Sequence, residues 1–239
     1  IAEAKAIVAF TGAGISTESG IPDFRSPGGI WTKYQPIEFS DFLSSEEMRR
    51  ESWRRKFATD ETMRKATPNA GHRALAHLVE RGSMIAIITQ NIDGLHQISG
   101  VPDNKVIELH GNATFAKCLE CGVRYELSEL RPRWQAGQEI DCIQCGGLIK
   151  TAVISFGQEM PVAEMVRAMA EAQTCDLFVV LGSSLAVYPA AGYVQTARHY
   201  GARTLELNLE PSQGSVMFHE SRMGKAGDLV PSWVEEMLP

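Results

Sequence analysis

Short apolar runs recur along the chain, and each breaks off into small or polar residues. Residues 7–10 (IVAF) run into Thr11, Gly12, Ala13 and Gly14, residues 84–89 (MIAIIT) into Gln90, Asn91, Ile92 and Asp93, and residues 177–181 (LFVVL) into Gly182, Ser183 and Ser184. RTLEL, from 203 to 207, repeats the theme before Asn208, Leu209 and Glu210. Unbroken hydrophobicity predicts strands covered on both faces, as in a parallel sheet. Between the runs, apolar residues fall at helical spacing. NAGHRALAHLVERG is predicted to be a helix opened by Pro68 and stopped by Gly82, with Ala74, Leu75, Leu78 and Val79 on its inner side. In VAEMVRAMAEA the larger residues Val162, Met165, Val166 and Met169 are the expected inward face. SSEEMRRESWRRKF reads as a helix started by Ser44 or Ser45, with Met48, Trp53 and Phe57 as its apolar stripe and Arg49, Arg50, Arg54, Arg55 and Lys56 as a basic face. His72 and His77, five residues apart, suit surface or capping positions. A final helix follows a loop centred near Ala226. This alternation predicts an α/β fold: a doubly wound, Rossmann-like parallel sheet whose polar turns share the carboxyl edge, where such sheets bind ligands.

With 239 residues and 44% hydrophobic content, the chain has enough apolar surface for one sizeable core and a small satellite module. A net charge of −6 argues against a surface that coats nucleic acid and tolerates a cationic protein partner. The longest apolar runs, MIAII and LFVVL, fall far below the roughly 18 residues of a membrane span. Neither a basic n-region nor a cleavage site precedes the first strand, so a cytoplasmic setting is expected. Five cysteines sharpen the picture. Cys118 and Cys121, then Cys142 and Cys145, form two CxxC pairs separated by 20 residues, the spacing of a four-thiolate zinc site. Four thiolates leave no open position, so the metal is expected to be structural. Two disulfides are the alternative, disfavoured by the expected reducing compartment. Cys175 reads as core. The domain organisation expected is a large Rossmann-like unit from residues 1–30, 66–112 and 152–239. A helical insertion at 31–65 and a zinc module at 113–151 would form a smaller lobe, with the site in the cleft between lobes.

The candidate chemistry sits at the polar turns. A strand, a Gly-Ala-Gly turn and a helix start put backbone N–H groups and a positive helix end together, which suits a diphosphate. Thr17 stands where the common dinucleotide fingerprint has its third glycine, and a tight turn capped by Ser16 or Thr17 with no ligand fits the same residues. Gly20 and Pro22 end any helix quickly, leaving Asp23, Phe24 and Arg25 on a loop beside that turn. Gln90, Asn91 and Asp93 stand where a ligand would be, and also suit an Asx turn with a helix cap. His110 ends the short strand of VIELHGN at the same edge. A structural histidine is the bland reading; a general base working near neutral pH is the sharper one.

GAGIS followed closely by GIPDFR, then TQNIDGLH, VIELHGN and the cysteine quartet, resemble the sirtuins, NAD-dependent protein-lysine deacylases, over essentially the whole chain. The resemblance implies NAD as co-substrate, one structural zinc and acyl-lysine protein substrates, with neither nucleic acid nor membrane as partner. It implies attack of the acyl oxygen on the ribose carbon bearing nicotinamide, then transfer of the acyl group to the sugar with His110 as base, giving free lysine and O-acyl-ADP-ribose. His110 and Asn91 would be catalytic. Gly12, Ala13, Gly14, Ser16, Asp23, Phe24 and Arg25 would line the cofactor loop, with Phe24 shielding the intermediate. Gln90, Asn91, Ile92 and Asp93 would form the nicotinamide pocket. Gly182, Ser183, Ser184, Asn208, Leu209, Glu210 and Ala226 would hold ribose, phosphate and adenine. Ile154, Phe156, Gly157, Val187 and Tyr188 would meet the substrate peptide. Thr151 where proline often sits, and Gln158 before Glu159, depart from the commoner pattern and bear on substrate preference. A protein ADP-ribosyltransferase and a non-catalytic NAD or ADP-ribose sensor share the same cofactor pocket.

Overall fold

The computed structural model describes residues 4–24, 28, 29, 32 and 34–237. Among them, β1 (Ile7–Thr11), β2 (Met84–Thr89), β3 (Val106–Glu108), β7 (Leu177–Leu181), β8 (Arg203–Asn208) and β9 (Glu220–Met223) form one sheet in the order β3-β2-β1-β7-β8-β9. All its pairings are parallel. The chain builds outward from β1 on one side and then crosses to β7 on the other. Their carboxyl ends therefore part at a topological switch point.

Eight α-helices are described: α1 (Phe39–Ser44), α2 (Glu46–Lys65), α3 (Ala70–Glu80), α4 (Leu95–Ile98), α5 (Leu127–Gln135), α6 (Val162–Thr174), α7 (Tyr193–His199) and α8 (Ala226–Met237). Because side chains alternate across a strand, each strand feeds two cores. Ile7, Ala9, Ile87 and Leu205 meet Leu75 and Leu78 of α3 and Val230, Trp233 and Val234 of α8. Val8, Phe10, Ile88 and Phe178 meet Ala168 and Ala172 of α6 and Tyr193, Val194 and Ala197 of α7. Cys175 is buried in this second core, as expected.

Several local expectations change. In α6 the buried residues are Ala168 and Ala172, while Val162, Val166 and Met169 are 61%, 63% and 39% exposed. The core under α6 is already filled by Phe10, Phe178 and Tyr193, so the methyl face packs inward and volume overrides hydropathy. Ser45 caps α2, accepting from Met48 N at 3.2 Å, and Trp53 and Phe57 are buried as the apolar stripe requires. Lys56, expected on a basic face, is instead buried 3.2 Å from Asp60, which also takes Arg131 of α5. An acid one turn along the inward side makes that burial tolerable. Asn69 rather than Pro68 opens α3, through a capping box completed by His72. His72 is accordingly a cap but not a surface residue; it is fully buried.

A second, antiparallel sheet in the order β5-β4-β6 is made of β4 (Gly111–Cys118), β5 (Arg124–Glu126) and β6 (Ile149–Val153). Tyr125, Leu130, Ile140 and Ile149 from this region share a core with Trp53 and Phe57 of α2. Among the described residues, no helix is long and apolar enough to cross a membrane.

Candidate active site

The turns after β1 and β7 are pressed together by glycine. A Cβ on Gly12 or Gly14 would stand 2.7 Å from backbone atoms of Gly182, and one on Gly182, whose φ is +59°, would stand 2.4 Å from Ile15 N. No other residue fits that approach. It also occupies donors: Gly12 N bonds Leu181 O at 3.0 Å and Gly14 N bonds Gly182 O at 2.8 Å. The glycines thus build the crevice floor, and their own N–H groups are not available to an anion. The helix that follows is a 3-10 segment, Ala13–Ser19, without a side-chain cap; Thr17 Oγ1 donates back to Gly14 O at 3.0 Å. Gly20 closes it in the left-handed conformation, as its position in the sequence predicts.

Above this floor lies a cleft of about 890 Å³. Ala13, Gly14, Asp23 and Phe24 line it from the first turn, and Gln90, Asn91, Ile92 and His110 from the ends of β2 and β3. Gly182, Ser183, Ser184, Asn208, Leu209 and Glu210 line it from β7 and β8, with Ala226 at the start of α8. Ile154, Phe156 and Gly157 after β6, and Val187 and Tyr188, complete the wall. Three expected residues stand behind it instead. Gly12 is packed under Gly182, and Ser16 and Asp93 are buried. Arg25 lies outside the described residues.

Ser16 and Asp93 brace the wall from behind. Ser16 Oγ donates to Asp93 Oδ2 at 2.7 Å and accepts from Asn91 Nδ2 at 3.1 Å. The second Asp93 oxygen accepts from Leu95 N at 2.9 Å. Burial raises the Asp93 carboxyl above the usual range, opposed by these donors. Beneath them, Thr11 Oγ1 donates to Thr89 Oγ1 at 2.8 Å, and Thr89 Oγ1 accepts from Asn91 N at 3.0 Å. With its proton spent on Thr89, Thr11 accepts from His96 Nε2 at 2.9 Å. The His96 ring is therefore protonated at Nε2, and its buried Nδ1 has no partner among the described residues. Burial pushes His96 down to about 3 and His72, 5.1 Å away ring to ring, down to about 4.

His110 enters the cleft from the join of β3 and β4. Its Nδ1 is 3.1 Å from Gln90 O. A carbonyl only accepts, so Nδ1 carries the proton and Nε2 keeps its lone pair. Burial lowers its pKa, against a smaller opposing effect of that hydrogen bond, which leaves the ring neutral at physiological pH. His110 O accepts from Ile154 N at 2.9 Å, tying the histidine to the wall segment after β6. Phe39 N, at the start of α1, fixes the segment after β6 by donating to Phe156 O at 2.8 Å. Ser183 Oγ donates to Gln90 Oε1 at 2.8 Å, bridging the ends of β7 and β2 across β1.

Other cleft residues had no distinctive sequence signal. Pro36 and Ile37 are apolar residues in an irregular stretch, and Lys225 stands beside Ala226. Glu18 lines the cleft and accepts from Gly227 N, at the start of α8, at 2.6 Å. An acid aimed at a helix start is a recognisable device, but its partner lies 209 positions away in sequence.

The four CxxC cysteines converge, with all Sγ atoms within 4.8 Å of one another. Cys118 and Cys145 are 3.5 Å apart, and Cys121 and Cys142 3.6 Å. A tetrahedral zinc with bonds of about 2.3 Å needs sulfurs about 3.8 Å apart, so the quartet fits the ion with little adjustment. His110 and Cys118 bound one strand about eight residues long, so metal and histidine are separated by roughly 25 Å. Zinc there is structural.

Comparison with known proteins agrees with this geometry. The Sir2 family profile matches residues 12–189. The chain is 56% identical over 213 residues to NAD-dependent protein deacetylase 1 of Bradyrhizobium diazoefficiens, covering 89% of this chain and 84% of that protein. It is 54% identical over 215 residues to the NAD-dependent protein deacetylase of Rhodopseudomonas palustris, covering 89% and 85%. The solved structure of Sir2 with a p53 peptide and NAD+ superposes with a TM-score of 0.86 at 33% identity, covering 98% of this chain and 94% of that one. A parallel sheet parted at its switch point, a neutral histidine in the crevice and a four-cysteine module are thus joined to close similarity along most of the sequence: the chain belongs to the Sir2 family.

Proposed function

We propose that the protein removes acyl groups from protein lysine with NAD as co-substrate, releasing nicotinamide and giving free lysine and O-acyl-ADP-ribose. The observation that carries this reading is His110, whose orientation by Gln90 O turns an unprotonated Nε2 into the same cleft that Asn91 and Ile92 line. NAD supplies the bond to nicotinamide whose cleavage drives the transfer.

The chain's residues then have separate tasks. Ser183, Ser184, Asn208, Leu209 and Glu210 hold the adenosine part, with Ala226 beside the base and Ala13 and Gly14 under the diphosphate. Gln90, Asn91 and Ile92 hold the nicotinamide end, where Asn91 orients the reacting ribose. Ser16 and Asp93 act by fixing Asn91 and the backbone at Leu95. Asp23 and Phe24 exclude water. The acyl-lysine peptide lies along Ile154, Phe156 and Gly157, opposite Val187 and Tyr188. His110 takes a proton at Nε2, a contribution of about 10²–10⁴-fold for a positioned base. Residues 1–30, 66–112 and 152–239 form the cofactor domain, and residues 31–65 with 113–151 the small lobe. Free thiols in a zinc-fitting quartet suit a reducing cytoplasm.

The test is nicotinamide release from NAD with an acetyl-lysine peptide, with the unmodified peptide, and with none. Release confined to the acetylated peptide is expected. Transfer of label from NAD to protein without acyl loss would make the chain an ADP-ribosyltransferase, and NAD binding without turnover would make it a sensor.

A further inference from the structure

The face of β8 turned toward α6 and α7 is polar where its neighbours are apolar. Thr204 and Glu206 pair in register with Phe178 and Val180 of β7, so all four point to the same side of the sheet. Both polar residues are fully buried. The reason lies in the connection from β8 to β9, residues 209–219, whose described regular structure is the three-residue 3-10 turn Ser215–Met217. Most of this connection is exposed, but Ser212 and Gly214 are buried, and without a longer helix its inward backbone groups have few partners within the segment. Thr204 and Glu206 satisfy them from the sheet. Thr204 Oγ1 donates to Met217 O at 2.9 Å. Glu206 Oε1 accepts from Ser212 N at 2.9 Å, and Oε2 from Ser215 Oγ at 3.1 Å and Ser221 Oγ at 3.0 Å.

Glu206 does not line the cleft, yet the segment it ties down carries Leu209, Glu210 and Pro211 of the cleft wall. The same segment is joined to the β7 turn, where Gln213 N donates to Ser184 O at 3.1 Å. We propose that Glu206 is a positioning residue for the nucleotide end of the cleft, its buried carboxylate clamping residues 209–215 in the conformation that receives the cofactor. The effect on catalysis rests on the NAD reading given above; the clamp itself does not.

Glu206→Gln keeps the shape of the side chain but presents an amide to donors that require an acceptor. The KM for NAD should rise roughly tenfold, as expected for losing a hydrogen bond to a charged group, with kcat and the KM for the peptide within about threefold of the parent. In the cofactor-free protein, amide exchange in residues 209–215 should accelerate roughly tenfold while β1 and β7 stay protected. Unchanged NAD KM and unchanged exchange would overturn the proposal. So would equal losses in kcat and both KM values with exchange rising across the sheet, which is what a merely structural role predicts. Should Glu206→Gln not fold, Ser221→Ala removes one donor and should give the same split at about threefold; a silent Ser221→Ala would then overturn it. If the parent protein turned over no NAD, the deacylase reading would fall, and amide exchange would still decide the clamp.

Discussion

His110 concentrates the chemistry in one tautomer. The carbonyl of Gln90 holds the proton on Nδ1, and burial keeps Nε2 free of one. Replacing His110 with Ala should lower the deacylation rate by roughly 10²-fold or more, while NAD binding measured by calorimetry stays within a few-fold. The pH profile follows from the direction of the shift. A base works unprotonated, and a pKa lowered from 6.5 delays protonation on acidification. The rate should hold level through neutrality and fall only below pH 6.5; a midpoint at or above 6.5 would contradict the buried neutral ring. Side-chain identities at this edge were legible from the sequence because polar residues directly after apolar runs have nowhere else to go. Their division of labour was not. Asp93 and Ser16 follow the same pattern as Asn91, but their carboxylate and hydroxyl bond each other behind the wall. Gly12 and Gly14 suggested free N–H groups, and only the neighbouring β7 turn shows that those donors are already engaged.

At the scale of elements, β4 links the zinc quartet to the active site: it starts beside His110 and ends at Cys118. A zinc bound there would hold the end of that strand and the core it shares with α2. Cys142→Ser should therefore release about one equivalent of zinc, measured by a chromogenic chelator, and lower thermal stability. Full stability in parent protein stripped of metal would contradict a structural zinc. Strands β1, β2, β7 and β8 matched the apolar runs because parallel strands buried on both faces leave little ambiguity. α6 was misread by face because alanine and valine exchange places whenever the facing core is already full. The burial of Lys56 depended on Asp60 and Arg131, of which only Asp60 is near in sequence.

For the whole molecule, a doubly wound parallel sheet followed from the alternation of elements; the strand order, which opens the cleft at the switch point between β1 and β7, is set by pairings distant in sequence. The same core makes stability depend on pH. His72 and His96 are held at about 4 and about 3, well below an unfolded histidine near 6.5. Between these values the unfolded chain binds more protons, so stability rises with pH and is lost as pH falls below 6.5. Each ring should remove on the order of 1.4 kcal/mol per pH unit over that range. Denaturant titrations at pH 7 and pH 5 should show a clear loss at pH 5, and equal stability at the two would contradict buried neutral rings. The central claim is that this cleft couples NAD cleavage to lysine deacylation. Its most direct test is a single time course with NAD and an acetyl-lysine peptide, following nicotinamide, deacetylated peptide and O-acetyl-ADP-ribose by mass spectrometry. The account predicts that all three appear in equal amounts and that none forms without the acetylated peptide; nicotinamide released without matching deacetylation, or deacetylation without NAD, would contradict it.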